Sequence, residues 1–147
     1  NYQTRNYLMK KKYLIVVADY YKDIAKGLLD SALKLIPKSN TVKIIKVPGV
    51  FEIPVTISKN IKRYDAFLAL GCVIKGKTPH FDFISKSINY GLMKISIEDK
   101  KPIGNGILTC LNKNQAKERL HKGEEAAKAV HGVLEIDNWY GQCKSKN

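Results

Sequence analysis

Nothing in these 147 residues stays apolar for long. The longest uninterrupted runs, such as Leu14 to Ala18, fall far short of the roughly 20 residues that a membrane-crossing helix needs, so no span is expected. Cysteine is scarce. Cys72, Cys110 and Cys143 are odd in number, far apart and without a C-x-x-C pair, which argues against a disulfide framework and against a zinc site, and fits a reducing cytoplasm. Residues 1–12 are basic but hold no apolar h-region followed by a small-residue cleavage site, so a secretory signal is not expected. Acidic residues are few, 13 against 26 lysines and arginines, for a formal net charge of +13. Such a balance would draw nucleic acid or any phosphorylated ligand. The lysines are scattered along the chain, however, with no single basic block, so nucleic acid is not the expected partner.

What is present is ordinary for a folded domain: 44% hydrophobic and 27% charged residues, in a chain long enough for one core and short for two. Apolar runs of strand length alternate with amphipathic stretches, and no repeat or low-complexity linker interrupts them. Tyr13 to Ala18, Thr41 to Val47, Ala66 to Val73 and Ile103 to Leu108 read as strands. Ile24, Leu28, Leu29, Ala32, Leu33 and Ile36 recur at helical spacing up to Pro37, as do Phe83, Ile84, Ile88, Leu92 and Ile95. Further helical patterns cover Gln115 to Leu120 and Glu124 to Ile136, and Pro54 can open a short helix. Strands apolar throughout and separated by helices imply a parallel sheet covered on both faces. Ligands of such sheets bind beyond the carboxyl ends of the strands. Four loops therefore draw attention: Asp19 to Tyr21, Pro48 to Glu52, Ile74 to His80, and Thr109 onward.

The third loop contains Gly71-Cys-Val-Ile-Lys-Gly76-Lys77-Thr78, which fits the nucleotide phosphate-loop pattern G-x-x-x-x-G-K-[ST]. That loop needs small, flexible residues between its glycines and a Thr in the first helical turn. Here Cys72, Val73 and Ile74 suit a strand, and Pro79 pushes Thr78 away from the helical region. A nucleotide-hydrolysing loop is not expected. Gly76, Lys77 and Thr78 still lie just before an expected helix N-terminus, whose free N–H groups favour an anion. His80, in the same turn, carries an imidazole that could take or give a proton near neutral pH, or could simply cap the helix.

Longer motifs are more specific. Val47-Pro-Gly-Val-Phe-Glu-Ile-Pro54 resembles the V-P-G-A-[FY]-E-[IL]-P motif of the 6,7-dimethyl-8-ribityllumazine synthases. The run from Leu70 to Phe83 is similar to that family's L-G-x-V-I-[RK]-G-x-T-x-H-[FY]-[DE]-[YF]. Pro102 to Thr109, Gln115 to Arg119 and Lys122 to Ala127 resemble its later motifs in order, so the resemblance spans about residues 13 to 137.

The resemblance implies an enzyme of riboflavin biosynthesis. It would join 5-amino-6-(D-ribitylamino)uracil to 3,4-dihydroxy-2-butanone 4-phosphate, releasing phosphate and water, without a metal or other cofactor. The implied fold is a single-domain three-layer α/β/α sandwich with a four-stranded, mostly parallel flavodoxin-like sheet, occupying residues 13–140 between a basic leader (1–12) and a polar tail (141–147). Residue by residue, the resemblance assigns the pyrimidine and its ribityl chain to Tyr20, Val50, Phe51, Glu52, Cys72, Val73, Ile74 and Asn105. It assigns the butanone phosphate to Lys77, Thr78, Arg119 and Lys122, and proton transfer to His80. It implies a site between subunits of a homopentamer, twelve of which close into a capsid in some members, and riboflavin synthase as a further partner. This sequence departs from the pattern twice. Asn105 stands where many members have Phe, and Arg119-Leu-His-Lys122 is shorter than the usual segment, leaving His121 as an exposed residue.

Overall fold

A computed structural model of the chain describes residues 10–76 and 80–145. Four strands, β1 (Lys12–Ala18), β2 (Thr41–Val47), β3 (Ala66–Ile74) and β4 (Ile103–Cys110), form one sheet in the order β2-β1-β3-β4. Every neighbouring pair is parallel, so the expected mostly parallel sheet is parallel throughout. The helices between them are α1 (Lys22–Leu33), α2 (Ile53–Lys59), α3 (His80–Asp99), α4 (Lys113–Glu118) and α5 (Lys122–Ser145), with a single 3₁₀ turn at Val50–Glu52 leading into α2.

The period-2 geometry of the strands sorts their side chains into two cores. Tyr13, Ile15, Val17, Leu68, Leu70, Cys72, Leu108 and Cys110 face α1 and α5 and pack with Ile24, Leu28, Ala126 and Val130. Leu14, Val16, Ala18, Phe67 and Ala69 face the other way, onto Ile53 and Ile57 of α2 and Ile88 and Leu92 of α3. β1 and β3 are buried on both faces, which is why they read as unbroken apolar runs. β2 lies at the sheet edge with exposed Lys43 and Lys46, a charged border of the kind that discourages further strand pairing. Its mixed alternation in the sequence has this origin.

Glycine is needed where α5 crosses α1: a Cβ on Gly123 would run into the carbonyl oxygen of Leu28. The Ser31 hydroxyl accepts from the Glu124 N–H at the same crossing (3.0 Å). α5 extends beyond the apolar pattern that ends at Ile136 and takes in residues 141–145, which the sequence reading places in the tail. Each added residue of an established helix adds a hydrogen bond, and the one glycine there, Gly141, costs only about 1 kcal/mol.

Candidate active site

The carboxyl ends of the strands bring three loops together. The Asp19 N–H donates to the Val47 carbonyl (3.1 Å), tying the end of β1 to that of β2, and the Lys75 N–H donates to the Cys110 carbonyl (2.8 Å), tying β3 to β4. At Gly71 the chain of β3 passes so close to its neighbours that a Cβ would lie 2.7 Å from Val50 Cγ1 and 3.0 Å from Ala18 Cβ. Gly71 thus lets the 3₁₀ turn seat Val50 in the core while Phe51 (67% exposed) and Glu52 project outward. The Glu52 N–H bonds the Gly49 carbonyl (3.2 Å), and Thr56 Oγ1 donates back to the Glu52 carbonyl (2.7 Å), fixing the turn against α2.

On the β1 side, Tyr20 is 76% exposed and meets Tyr21 edge to face, with ring centroids 4.9 Å apart and planes at 82°. On the β3 side, Cys72 is buried beneath the rim, and Val73 and Ile74 are partly buried, one against each core. Burial, reinforced by the neighbouring Cys110 thiol, pushes the Cys72 thiol up to about 12. It therefore stays protonated at any physiological pH and is not a nucleophile. His80 is the first residue of α3 and is exposed at the same rim. The expected anion-binding pair, Lys77 and Thr78, lies outside the described residues.

The stretch between Gly71 and Gly76 is not a phosphate-cradling curl. Cys72, Val73 and Ile74 belong to β3 and pair in register with Leu108, Thr109 and Cys110 of β4. A parallel ladder engages the backbone groups that a nucleotide loop would need free.

Of the remaining assigned residues, Asn105 stands apart from this rim within one chain. Asn105 pairs with Ala69 in the middle of the ladder, five positions before Cys110, which places it about 16 Å from the carboxyl end of β4. Its amide is held by two hydrogen bonds: Nδ2 donates to Asn89 Oδ1 of α3 (2.9 Å), and Oδ1 accepts from the Ile107 N–H (3.1 Å). Arg119 closes α4, its guanidinium 4.0 Å from the Cys110 sulfur. Cys110 belongs to the core on the α1 and α5 side, whereas His80 begins a helix of the opposite layer. Lys122, at the start of α5, is 3.5 Å from Glu125, and the exposed His121 is 3.6 Å from the same carboxylate.

Two contacts here escape sequence reading. The Asn89–Asn105 pair joins a helix to a strand 16 residues away, and no short motif signals it. Lys113, whose ammonium lies 5.4 Å from the Tyr21 ring centroid, joins the loop after β4 to the loop after β1. Among the described residues no group of three or more His, Cys, Asp or Glu is arranged to hold a metal ion, and no helix is long and apolar enough to cross a membrane.

A family model described as 6,7-dimethyl-8-ribityllumazine synthase matches residues 10–138. Curated relatives bear the same name. One from Corynebacterium kroppenstedtii is 42% identical over 126 residues, covering 80% of this chain and 79% of its own. Another, from Buchnera aphidicola subsp. Baizongia pistaciae, is 39% identical and covers 92% of each chain. A third, from Agrobacterium fabrum, is 37% identical over 91% of this chain and 99% of its own.

Proposed function

The chain belongs to the 6,7-dimethyl-8-ribityllumazine synthase family, an enzyme family of riboflavin biosynthesis, and from that premise we propose how its residues divide the work of forming the lumazine. The substrates are 5-amino-6-(D-ribitylamino)uracil and 3,4-dihydroxy-2-butanone 4-phosphate. Tyr20 stacks on the pyrimidine, and Phe51 walls the ring opposite it. Glu52 accepts hydrogen bonds from ribityl hydroxyls, while Val50 and the Cys72 to Ile74 segment shape the floor. Lys77, Thr78 and Arg119 hold the phosphate, and Lys122 adds positive charge once a ligand anion competes with Glu125.

His80 moves the protons. Attack of the pyrimidine's amine on the butanone carbonyl gives a carbinolamine, and protonation of its hydroxyl releases water and leaves an imine. Removal of a C–H proton then drives out phosphate, and closure of the second ring releases water again. Each step needs a group that alternates between acid and base, which an imidazole does near neutral pH.

The observation that carries this reading is the common placement of Tyr20, Phe51, Glu52 and His80 at one rim while Asn105 lies well down the sheet. A second copy of the chain can bring its Asn105 and Arg119 to the first copy's rim, so the site is shared between subunits of a homopentamer. The surface suits such an assembly. Tyr90, Met93 (61% exposed) and Ile97 (65% exposed) form a stripe on α3, and Val133 and Ile136 a second on α5. A cavity of about 470 Å³ between the two is lined by Met93, Ile97, Ile103 and Val133, with Lys100 and Lys101 at its border. Contiguous exposed apolar surface of this kind marks an interface. The free thiols of Cys72 and Cys110 suit a reducing, cytoplasmic setting.

Arg119→Ala tests the division of labour. A charge-assisted hydrogen bond to an anion is worth about 1.5–3 kcal/mol, so the KM for the butanone phosphate rises about tenfold to a hundredfold and that for the pyrimidine changes little. Equal losses for both substrates in steady-state assays would place Arg119 outside the phosphate site.

A further inference from the structure

Tyr20 presents a puzzle that its neighbours resolve. A ring exposed to this degree on a bend after β1 has no core to hold its rotamer, yet stacking a flat substrate requires a ring held in one plane. Its aromatic contact is Tyr21, met edge to face at 4.9 Å, the arrangement favoured by the charge distribution of two rings.

Tyr21 is itself anchored from several directions. It is partly buried against the core under α1 and α5. Its hydroxyl is shifted upward from the ordinary tyrosine range, chiefly by burial and then by Tyr20 and Cys72. Lys113, the first residue of α4, lies 5.4 Å from its ring centroid, within the range of cation–π attraction. The Tyr21 carbonyl accepts the Ala25 N–H (2.9 Å), which locks its backbone to the first turn of α1. One ring therefore links the segments that follow β1 and β4 over the core.

We propose that Tyr21 is a positioning residue for pyrimidine recognition: braced by Lys113 and by the core under α1 and α5, it holds the Tyr20 ring in the orientation that stacks on the substrate. The inference rests on the reading of Tyr20 as the stacking partner and assigns a role to two residues, Tyr21 and Lys113, that touch no substrate. A brace of this kind is read in pyrimidine affinity, because the side chain that the Tyr21 ring meets edge to face is Tyr20.

The test compares Tyr21→Leu, Tyr21→Phe, Lys113→Met and Tyr20→Ala in the assembled enzyme, reading KM for each substrate separately. Tyr21→Leu, which keeps apolar bulk but loses the ring, is expected to raise the pyrimidine KM about two- to tenfold, the usual worth of an edge-to-face pair. The butanone phosphate KM stays unchanged, and Tyr21→Phe restores the pyrimidine KM. In a Tyr20→Ala background, Tyr21→Leu has no further effect. Equal changes in both KM values, or losses that add in the Tyr20→Ala background, would overturn the proposal and leave Tyr21 a packing residue. Lys113→Met, at an exposed position, decides the matter if Tyr21→Leu does not fold: a rise of about twofold in the pyrimidine KM alone supports the brace, and no rise overturns it. A Tyr20→Ala enzyme with an unchanged pyrimidine KM would instead remove the stacking role itself, a failure distinguishable from that of the brace.

Discussion

Replacing His80 by alanine is expected to slow turnover about 10²- to 10⁴-fold while both substrates still bind, the range lost with a general acid or base. The imidazole is exposed at the head of α3, on the rim it shares with Tyr20 and Phe51, so its removal leaves no cavity in either core. Fold and assembly should therefore be unchanged, and the loss should be one of rate. The lower end of the range is the more natural outcome, because holding two reactive molecules side by side already supplies much of the acceleration. Single-turnover rates at saturating substrate, measured beside separate binding constants, make the distinction. A variant that turns over normally, or that loses rate only through lost binding, would reduce His80 to a helix-capping residue.

The second large effect comes from the apolar stripe on α3. Met93→Asp combined with Ile97→Asp places two charges on the face that lines the cavity between α3 and α5. Both side chains are exposed in the single chain, so folding of the protomer should survive. A subunit interface that must bury those carboxylates will not. Sedimentation should then show monomers, and if the site is shared as proposed, activity should fall by about 10²-fold or more, because each site would lose the groups its neighbour supplies. Monomers with full activity would contradict the shared site.

Much of this was legible in the sequence because it is local. Unbroken apolar runs in Tyr13 to Ala18 and Ala66 to Val73 announced strands buried on both faces, and both are central in the sheet. Val47-Pro-Gly-Val-Phe-Glu-Ile-Pro54 carries its own geometry: an extended Gly49, a tight turn at Val50–Glu52 and a proline-opened helix. The β-branched residues of Gly71-Cys-Val-Ile also betrayed a strand where a nucleotide loop would need a curl. What did not read was non-local. The Asn89–Asn105 bond and the approach of Lys113 to Tyr21 depend on helices and loops meeting across the sheet, and no spacing in the chain encodes them. Helix ends were also blurred. α5 runs on to Ser145 because propagation continues past the last apolar residue when nothing breaks it. Nor could the sequence alone show that Asn105 and the rim are too far apart to serve one another in a single chain.

The proposed supply of Asn105 and Arg119 by a neighbouring subunit makes intersubunit complementation the most direct measurement. His80→Ala and Arg119→Ala chains, each impaired alone when the butanone phosphate is held below its wild-type KM, are to be mixed, dissociated and reassembled together, and lumazine formation followed by its absorbance under that condition. If one subunit supplies His80 and its neighbour supplies Arg119, random reassembly of equal amounts leaves about a quarter of the interfaces with both residues intact. Activity should then return to about a quarter of the wild-type value. Reassembled mixtures no more active than the average of the two parents would show that His80 and Arg119 act from the same chain, and the shared site would be wrong.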